Sequence, residues 1–303
     1  MGKPTVIVIA GPTASGKSNL AVELAKRIDG EIVSADSMQI YKDMDIGTAK
    51  VTEEEMQGIK HYMLDIVSPN ERYSVSSYKK DAEKCIEEIL RKGKNPIICG
   101  GTGLYIDSLI YGIEFLEEEI DETYRNKLNQ IAETEGLENL YNEAIKIDPE
   151  AMQKISKNDK KRIIRVLEIY HKTGKTKTQQ DMESRKNGVK YNYKVFAINM
   201  DREVLYDRIN KRVDKMINMD LIDEVKSILG KYQEFPTAMQ GLGYKEVVDY
   251  INGTLNKDEM IDKVKMETRR YAKRQITWFK KNKQTCWLDG TNSVEQNLDI
   301  ILS

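Results

Sequence analysis

The chain opens on an unbroken apolar run, Thr5–Ala10, and then changes period. After a glycine-rich stretch, Leu20, Leu24 and Ile28 recur every four residues up to Asp29-Gly30. A short continuous run followed by helical spacing predicts a buried strand of a parallel sheet, a loop and an amphipathic helix. The alternation repeats. Residues 31–35 (EIVSA) predict a second strand, expected beside the first, with Asp36-Ser37 at its carboxyl end. Residues 61–67 (HYMLDIV) predict a third strand, and residues 78–91 a helix closed by Lys92-Gly93. Residues 96–99 (PIIC) predict a strand that runs into Gly100-Gly101-Thr102-Gly103, with a helix from about Leu104. Strands alternating with helices predict a parallel α/β sheet whose ligand rim lies at the carboxyl ends of the strands. Asp36 and Thr102 belong on that rim with the first glycine loop.

Beyond Glu114 the strand signal stops until about Asn192. Ile163, Val166, Leu167 and Tyr170 keep helical spacing among many Glu, Lys and Gln residues, which predicts a helical insertion; residues 174–188 read as a polar, flexible connection. Residues 194–198 (KVFAI) resume the sheet. Two helices precede Gly241-Leu242-Gly243-Tyr244, a long helix spans about 257–281, and residues 285–288 (TCWL) predict a last strand. The expected division is a core of residues 1–113 and 193–303 and an inserted helical domain of 114–192.

Composition adds little until it is mapped. A chain of 303 residues with 40% hydrophobic and 32% charged residues is an ordinary globular protein. The run at 5–10 is too short to cross a bilayer, so no membrane association is expected and a cytoplasmic address is. Cys85, Cys99 and Cys286 form no metal- or disulfide-like spacing and read as core residues. The formal net charge is −1, yet it is unevenly spread. Residues 114–150 hold twelve acidic side chains against three basic ones, residues 157–177 eight basic against two acidic, and residues 263–283 nine basic against one acidic. Two basic blocks on a neutral chain fit either solvated helix faces or a polyanion footprint.

The candidate chemistry begins at Gly11, Pro12, Thr13, Ala14, Ser15, Gly16, Lys17 and Ser18, a G-x-x-x-x-G-K-S phosphate loop between strand and helix. Its backbone N–H groups, the helix N-terminus and the Lys17 ammonium converge on phosphate oxygens, and the Ser18 hydroxyl suits Mg²⁺. The loop specifies a di- or triphosphate, not its fate. Asp36 can hold a metal through water, act as general base or cap the next turn. Ser37 and Gln39 can bond to base edges. Arg208 and Arg212 share a helix face and can meet a phosphate or form surface salt bridges, which the residues alone favour. His61 and His171 are isolated and read as structural.

Seven blocks in order, GPTASGKS at 11–18, SADSMQIYKDMDIGTAK at 34–50, HYMLDI at 61–66, GGTGLYI at 100–106, NDKKRIIRVLEIY at 158–170, QGLGYKE at 240–246 and RRYAKRQITWFKK at 269–281, resemble the tRNA dimethylallyltransferase family nearly end to end. The resemblance implies the bacterial form, without the C-terminal zinc finger of some eukaryotic members. It implies a P-loop NTPase-like parallel sheet flanked by helices, with an inserted helical domain. The implied reaction moves a dimethylallyl group from its diphosphate to N6 of the adenosine beside the anticodon. Asp36 matches the family's general base. Thr13, Lys17 and Arg212 match positions on the leaving diphosphate, with Mg²⁺ at Ser18. The tRNA anticodon stem-loop would meet Asp36, Ser37, Met38, Gln39 and Thr102 around the target base. It would meet Arg125, Lys161, Arg162, Ile163, Ile164 and Arg165 on the insertion, and Gln240, Gly241, Leu242, Gly243, Tyr244 and Lys245 on the core. Met38 and Lys161 depart from the pattern without disturbing it. On this reading the basic blocks face RNA and a monomer suffices. The alternatives are a P-loop kinase of small metabolites, which gives the insertion no role, prenylation of free adenine nucleotides, which needs no basic blocks, and a non-enzymatic RNA-binding protein, which needs no phosphate loop.

Overall fold

The structure, a computed structural model, describes residues 2–115, 121–186 and 188–303. Glu117, Glu118 and Glu119 of the acidic stretch lie outside the described residues. The chain divides into two compact units, Met1–Ile110 with Val189–Ser303, and Tyr111–Gly188.

The first unit holds a six-stranded parallel sheet: β1 (Thr5–Ala10), β2 (Gly30–Ser34), β3 (His61–Tyr62), β4 (Asn95–Gly100), β5 (Asn192–Asn199) and β6 (Cys286–Asp289). The order is β3-β2-β4-β1-β5-β6. β1 pairs with β4 on one side and β5 on the other, which is why its run is apolar on both faces. β4 separates β1 from β2, so the strand carrying Asp36 is not beside the phosphate-loop strand as expected. The intervening strand brings its own glycine loop between them. The third strand is also shorter than expected. Met63 and Asp65 take φ of 64° and 55°, so the chain turns after Tyr62, and Val67 makes only an isolated bridge to Tyr41.

Helices α1 (Lys17–Ile28), α2 (Glu53–Met56), α3 (Val75–Arg91) and α4 (Gly103–Ile110) belong to this unit. One sheet face, with Val8, Val33 and Ile98, packs on Tyr78, Ala82 and Ile86 of α3 and Ile106 of α4. The other, with Ile9, Ile32 and Ile97, packs on Leu20 and Leu24 of α1. Each such buried aliphatic side chain is worth about 1.5–3 kcal/mol of transfer from water.

The second unit is helical: α5 (Glu122–Thr134), α6 (Glu138–Ile147), α7 (Pro149–Met152), α8 (Lys160–Thr173) and α9 (Lys177–Glu183). Leu128, Leu140, Ile163, Ile164 and Leu167 form its core. The stretch 174–188, expected as a flexible connection, contains α9, started by a capping box in which Thr176 and Gln179 bond each other's backbone N–H.

Helices α10 (Arg202–Asn218), α11 (Leu221–Lys231), α12 (Tyr244–Ile251), α13 (Lys257–Phe279) and α14 (Val294–Leu302) complete the first unit. Leu298 and Ile301 of α14 join the α1 face of the sheet, whereas α11 and α12 build a separate core with Ile40, Tyr41 and Met44. Cys286, expected in the core, is exposed at the sheet edge. No helix among the described residues is long and apolar enough to cross a membrane.

Candidate active site

Three strand ends converge on one rim. β1 leads into the phosphate loop, where Gly16 sits at φ 88° as the N-cap of α1, a conformation that favours glycine. Ala14 takes φ 63°, which costs a residue with a Cβ about 1–2 kcal/mol. Ser15 is buried, and its hydroxyl is the one buried side-chain polar atom without a hydrogen-bond partner among the described residues. Strain and an unpaired donor in one loop are the marks of a functional segment. Lys17 Nζ donates to the Pro12 carbonyl at 3.3 Å. Burial lowers the Lys17 pKa from its ordinary value, opposed by Cys99 and Asp36 and reinforced by Arg212. Burial also lowers that of Arg212, against Asp36 and Glu55. Two poorly solvated cations thus share one site, which favours an anionic ligand.

β2 delivers Asp36. Its Oδ1 accepts from the N–H of Met38 at 2.9 Å and of Gln39 at 3.3 Å, so the carboxylate does cap the following turn. That turn also fixes its direction.

β4 supplies the second glycine loop. A Cβ on Gly100 would stand 2.2 Å from the Ala35 carbonyl oxygen, so only glycine lets β4 leave the sheet beside Asp36. Thr102 Oγ1 accepts from the Ser37 N–H at 3.0 Å and donates to Ser37 Oγ at 3.3 Å, which clamps the two strand ends together. Helix α13 lies against both loops. Gln275 Oε1 accepts from the Thr13 N–H at 2.9 Å, and its Nε2 donates to the Gly101 carbonyl at 3.0 Å. One turn earlier, Tyr271 is within hydrogen-bonding reach of Thr102 and Gln275. Burial, with Asp36 adding, pushes its hydroxyl up to about 12, so it is a neutral donor near pH 7.

Thr13, Lys17, Asp36, Arg212, Tyr271 and Gln275 line one cavity of about 590 Å³, whereas Thr102, expected at the target base, is not in its lining. The cavity gathers Thr13, Lys17, Ser18, Asp36, Ser37, Met38, Gln39, Arg212, Gln240, Gly241, Leu242, Gly243 and Lys245 from four segments of the chain. Burial raises the Cys99 thiol in its wall to about 11, which leaves it protonated rather than nucleophilic. Gln39 Nε2 donates to the carbonyls of Thr48 and Ala49 at 3.2 and 3.3 Å, and Arg212 Nη2 donates to the Thr48 carbonyl at 3.3 Å.

Several of the expected contact residues point elsewhere. Tyr244 is fully buried and its hydroxyl donates to Glu224 at 2.6 Å, so its side chain faces the α11–α12 core and not the cavity. In the helical unit Ile163 and Ile164 are buried in the core, because the a/d-like spacing of α8 turns them inward. That leaves Lys161, Arg162 and Arg165 on the exposed face. Arg125 forms a two-pronged pair with Glu168, Nε to Oε1 at 2.5 Å and Nη2 to Oε2 at 2.9 Å, which joins α5 to α8. His61 is half-buried with Nδ1 against the Ile59 carbonyl, and burial lowers its pKa; His171 stacks on Tyr124.

The cavity residues to which the sequence alone assigned no role include Gly47, Thr48, Ala49 and the α13 series Val264, Thr268, Tyr271 and Gln275. The latter recur three and four apart, one helix face, and that spacing was the available signal.

Residues 39–282 match the family described as IPP transferase. The tRNA dimethylallyltransferase of Acetivibrio thermocellus is 51% identical over 304 residues, covering 98% of this chain and 97% of that protein. The crystal structure of full-length tRNA isopentenylpyrophosphate transferase from Bacillus halodurans is similar at TM-score 0.73 and 40% identity, covering 99% of this chain and 96% of that one. A eukaryotic dimethylallyltransferase acting on tRNA is similar at TM-score 0.79 and 31% identity, covering 97% of this chain and 78% of that one. The sheet with its phosphate loop is the P-loop NTPase-like fold of these enzymes, and the chain belongs to the tRNA dimethylallyltransferase family in its bacterial form, a family of prenyl-transferring enzymes.

Proposed function

We propose that the cavity binds dimethylallyl diphosphate on the phosphate loop and transfers its dimethylallyl group to N6 of the adenosine adjacent to the anticodon of a tRNA. The observation that carries this reading is the presence of Lys17, Arg212 and Asp36 on one cavity wall system. The two cations, each poorly solvated, face an acceptor of negative charge, and the carboxylate faces a donor of a proton.

In the reaction the C1–O bond of the ester breaks and diphosphate departs with its electron pair. Thr13, Lys17 and Arg212 stabilise the growing charge, and do so most in the transition state. The N6 lone pair is delocalised into adenine, so N6 attacks C1 only as its proton is removed. Asp36 accepts that proton. Its Oδ1 is held by two backbone N–H groups, which supports a fixed direction of approach.

Mg²⁺ fits the donor set. Ser18 lines the cavity beside Lys17, and a small hard cation takes most of its ligands from phosphate oxygens and water, with few from protein. Ser18 would hold it, and the ion would neutralise charge on the leaving diphosphate. Among the described residues no cluster of three or more His, Cys, Asp or Glu forms a separate metal site.

The target base would be flipped from its stack into the cavity, at a cost of a few kcal/mol. Met38, Gln39 and Gln240–Gly243 line the cavity where a base would lie. Lys161, Arg162 and Arg165 are exposed cations of the helical unit suited to the anticodon stem-loop phosphates. We place the enzyme in the cytoplasm, as a monomer, in a core of 1–113 and 193–303 with the tRNA-contacting insertion 114–192.

Incubation with labelled dimethylallyl diphosphate, Mg²⁺ and unmodified tRNA should place label in tRNA. Asp36→Asn should lower turnover by about 10²–10⁴-fold, the usual worth of a general base, and retain tRNA binding. Label in AMP but not tRNA, or ATP consumed with neither labelled, overturns the reading.

A further inference from the structure

Glu224, in the first turn of α11, touches neither the phosphate loop nor Asp36, yet its carboxylate takes four hydrogen bonds. Oε2 accepts from the N–H groups of Asp45 at 3.0 Å and Ile46 at 2.7 Å. Oε1 accepts from the Gly47 N–H at 3.1 Å and the Tyr244 hydroxyl at 2.6 Å. Three successive backbone N–H groups curled around one carboxylate form an anion nest filled from within the protein. The fit is tight: a Cβ on Gly47 would lie 2.5 Å from the Tyr244 ring.

The residue after the nest is Thr48, and its carbonyl is where Arg212 Nη2 and Gln39 Nε2 both donate. The direction of that carbonyl is set by the peptide units that Glu224 holds. We infer that Glu224 is a positioning residue which, through the 45–48 loop, aims the Arg212 guanidinium and the Gln39 amide into the cavity. This rests on the proposed function, in which Arg212 meets the leaving diphosphate and Gln39 the target base. Charge makes the carboxylate specific. A glutamine of the same shape would, in either orientation, turn its amide NH₂ toward at least one of these backbone N–H groups, donor against donor. The loop would loosen without unfolding, because Lys50 Nζ also bonds the Tyr41 carbonyl at 2.9 Å and Asp45 at 2.6 Å.

Transfer to tRNA is measured in single turnover for the full chain, for Glu224→Gln, for Arg212→Ala and for the double variant, with thermal midpoints alongside. Glu224→Gln should lower the transfer rate and weaken dimethylallyl diphosphate binding by roughly tenfold each, a typical effect of misaligning a group that acts in the transition state. In the Arg212→Ala background the same change should cost several-fold less than in the full chain, because only the Gln39 amide is left to aim. Tyr244→Phe, which removes one of the four bonds and keeps the ring, should move rate in the same direction by a smaller factor. An equal cost of Glu224→Gln in both backgrounds, or a lower midpoint with unchanged rate, overturns the inference and leaves the proposed function standing. Arg212→Ala with undiminished transfer overturns the role of Arg212 itself.

Discussion

Lys17 has a lysine's charge in a place that disfavours it. Burial lowers its pKa, and Arg212 lowers it further. A bound diphosphate has the opposite effect, since an adjacent anion favours the ammonium. Binding therefore takes up a proton wherever the free site has lost one. Affinity should be greatest below the pKa of Lys17 in the free enzyme and fall as pH rises through it, by up to about tenfold per pH unit. The fall begins below the roughly 10.4 of an ordinary lysine. Pyrophosphate affinity measured by calorimetry across neutral to alkaline pH checks this, with Lys17→Met as reference to cancel the ligand's own ionisation. Parallel profiles for the two proteins would remove Lys17 from the site. Much at this scale could be read from the chain: a Gly-x-x-x-x-Gly-Lys-Ser stretch between a strand and a helix fixes where Lys17 points, because local backbone alone decides it. For Tyr271 the spacing with Val264, Thr268 and Gln275 marks only a helix face; that this face meets the cavity beside Asp36 is decided by long-range packing.

Among elements, α13 does more than cover the sheet. Gln275 ties the phosphate loop to the second glycine loop, and the first two glycines of that loop meet different obstacles. A Cβ on Gly100 meets the Ala35 backbone oxygen at 2.2 Å, whereas one on Gly101 meets Gln275 Nε2 at 2.1 Å. Backbone cannot give way and a side chain can. Gly100→Ala should therefore lower the thermal midpoint more than Gly101→Ala. Gly101→Ala should lose mainly diphosphate affinity, because it displaces Gln275 from Thr13. Gln275→Leu should mimic it, leaving the Thr13 N–H and the Gly101 carbonyl unpaired at about 1–3 kcal/mol each. Scanning calorimetry and KM for dimethylallyl diphosphate separate the two outcomes; equal midpoints for the glycine variants would contradict this account. The strands and long helices were legible because their periods are set by burial on known faces. The spatial order of β1, β4 and β2 was not, since apolar runs carry no record of their neighbours. The third strand failed at Met63 and Asp65, whose positive φ residue-type preference announces only weakly for the aspartate and not at all for the methionine. Helix α9 was legible in principle: Thr176 and Gln179 spell a capping box inside a stretch that polarity alone made look irregular.

At the scale of the whole molecule the net charge of −1 conceals the distribution that matters for a polyanion. On α8, apolar spacing buries Ile163, Ile164, Val166 and Leu167 and leaves Lys161, Arg162 and Arg165 exposed at the surface of the helical unit. Two of their ion pairs are long: Arg162 lies 3.4 Å from Asp159, and Arg165 3.7 Å from Glu168, which is already held by Arg125. A surface pair such as Arg162–Asp159 contributes about 0–1 kcal/mol, so exchanging it for an RNA phosphate costs little. Each phosphate neutralised releases counterions, and the logarithm of affinity falls with the logarithm of salt by about 0.7–0.9 per contact. Replacing Lys161, Arg162 and Arg165 together by Gln should therefore weaken tRNA binding at low salt and flatten its salt slope by roughly two to three. The apolar side of α8 is untouched, so the thermal midpoint should hold. The phosphate loop lies in the other unit, so pyrophosphate affinity should hold as well. Filter binding of tRNA between about 50 and 200 mM salt, the range over which such contacts are lost, reads the slope directly. An unchanged slope would mean that these cations only solvate the helix. A fall in pyrophosphate affinity instead would tie them to the phosphate loop and separate the charge of α8 from RNA altogether.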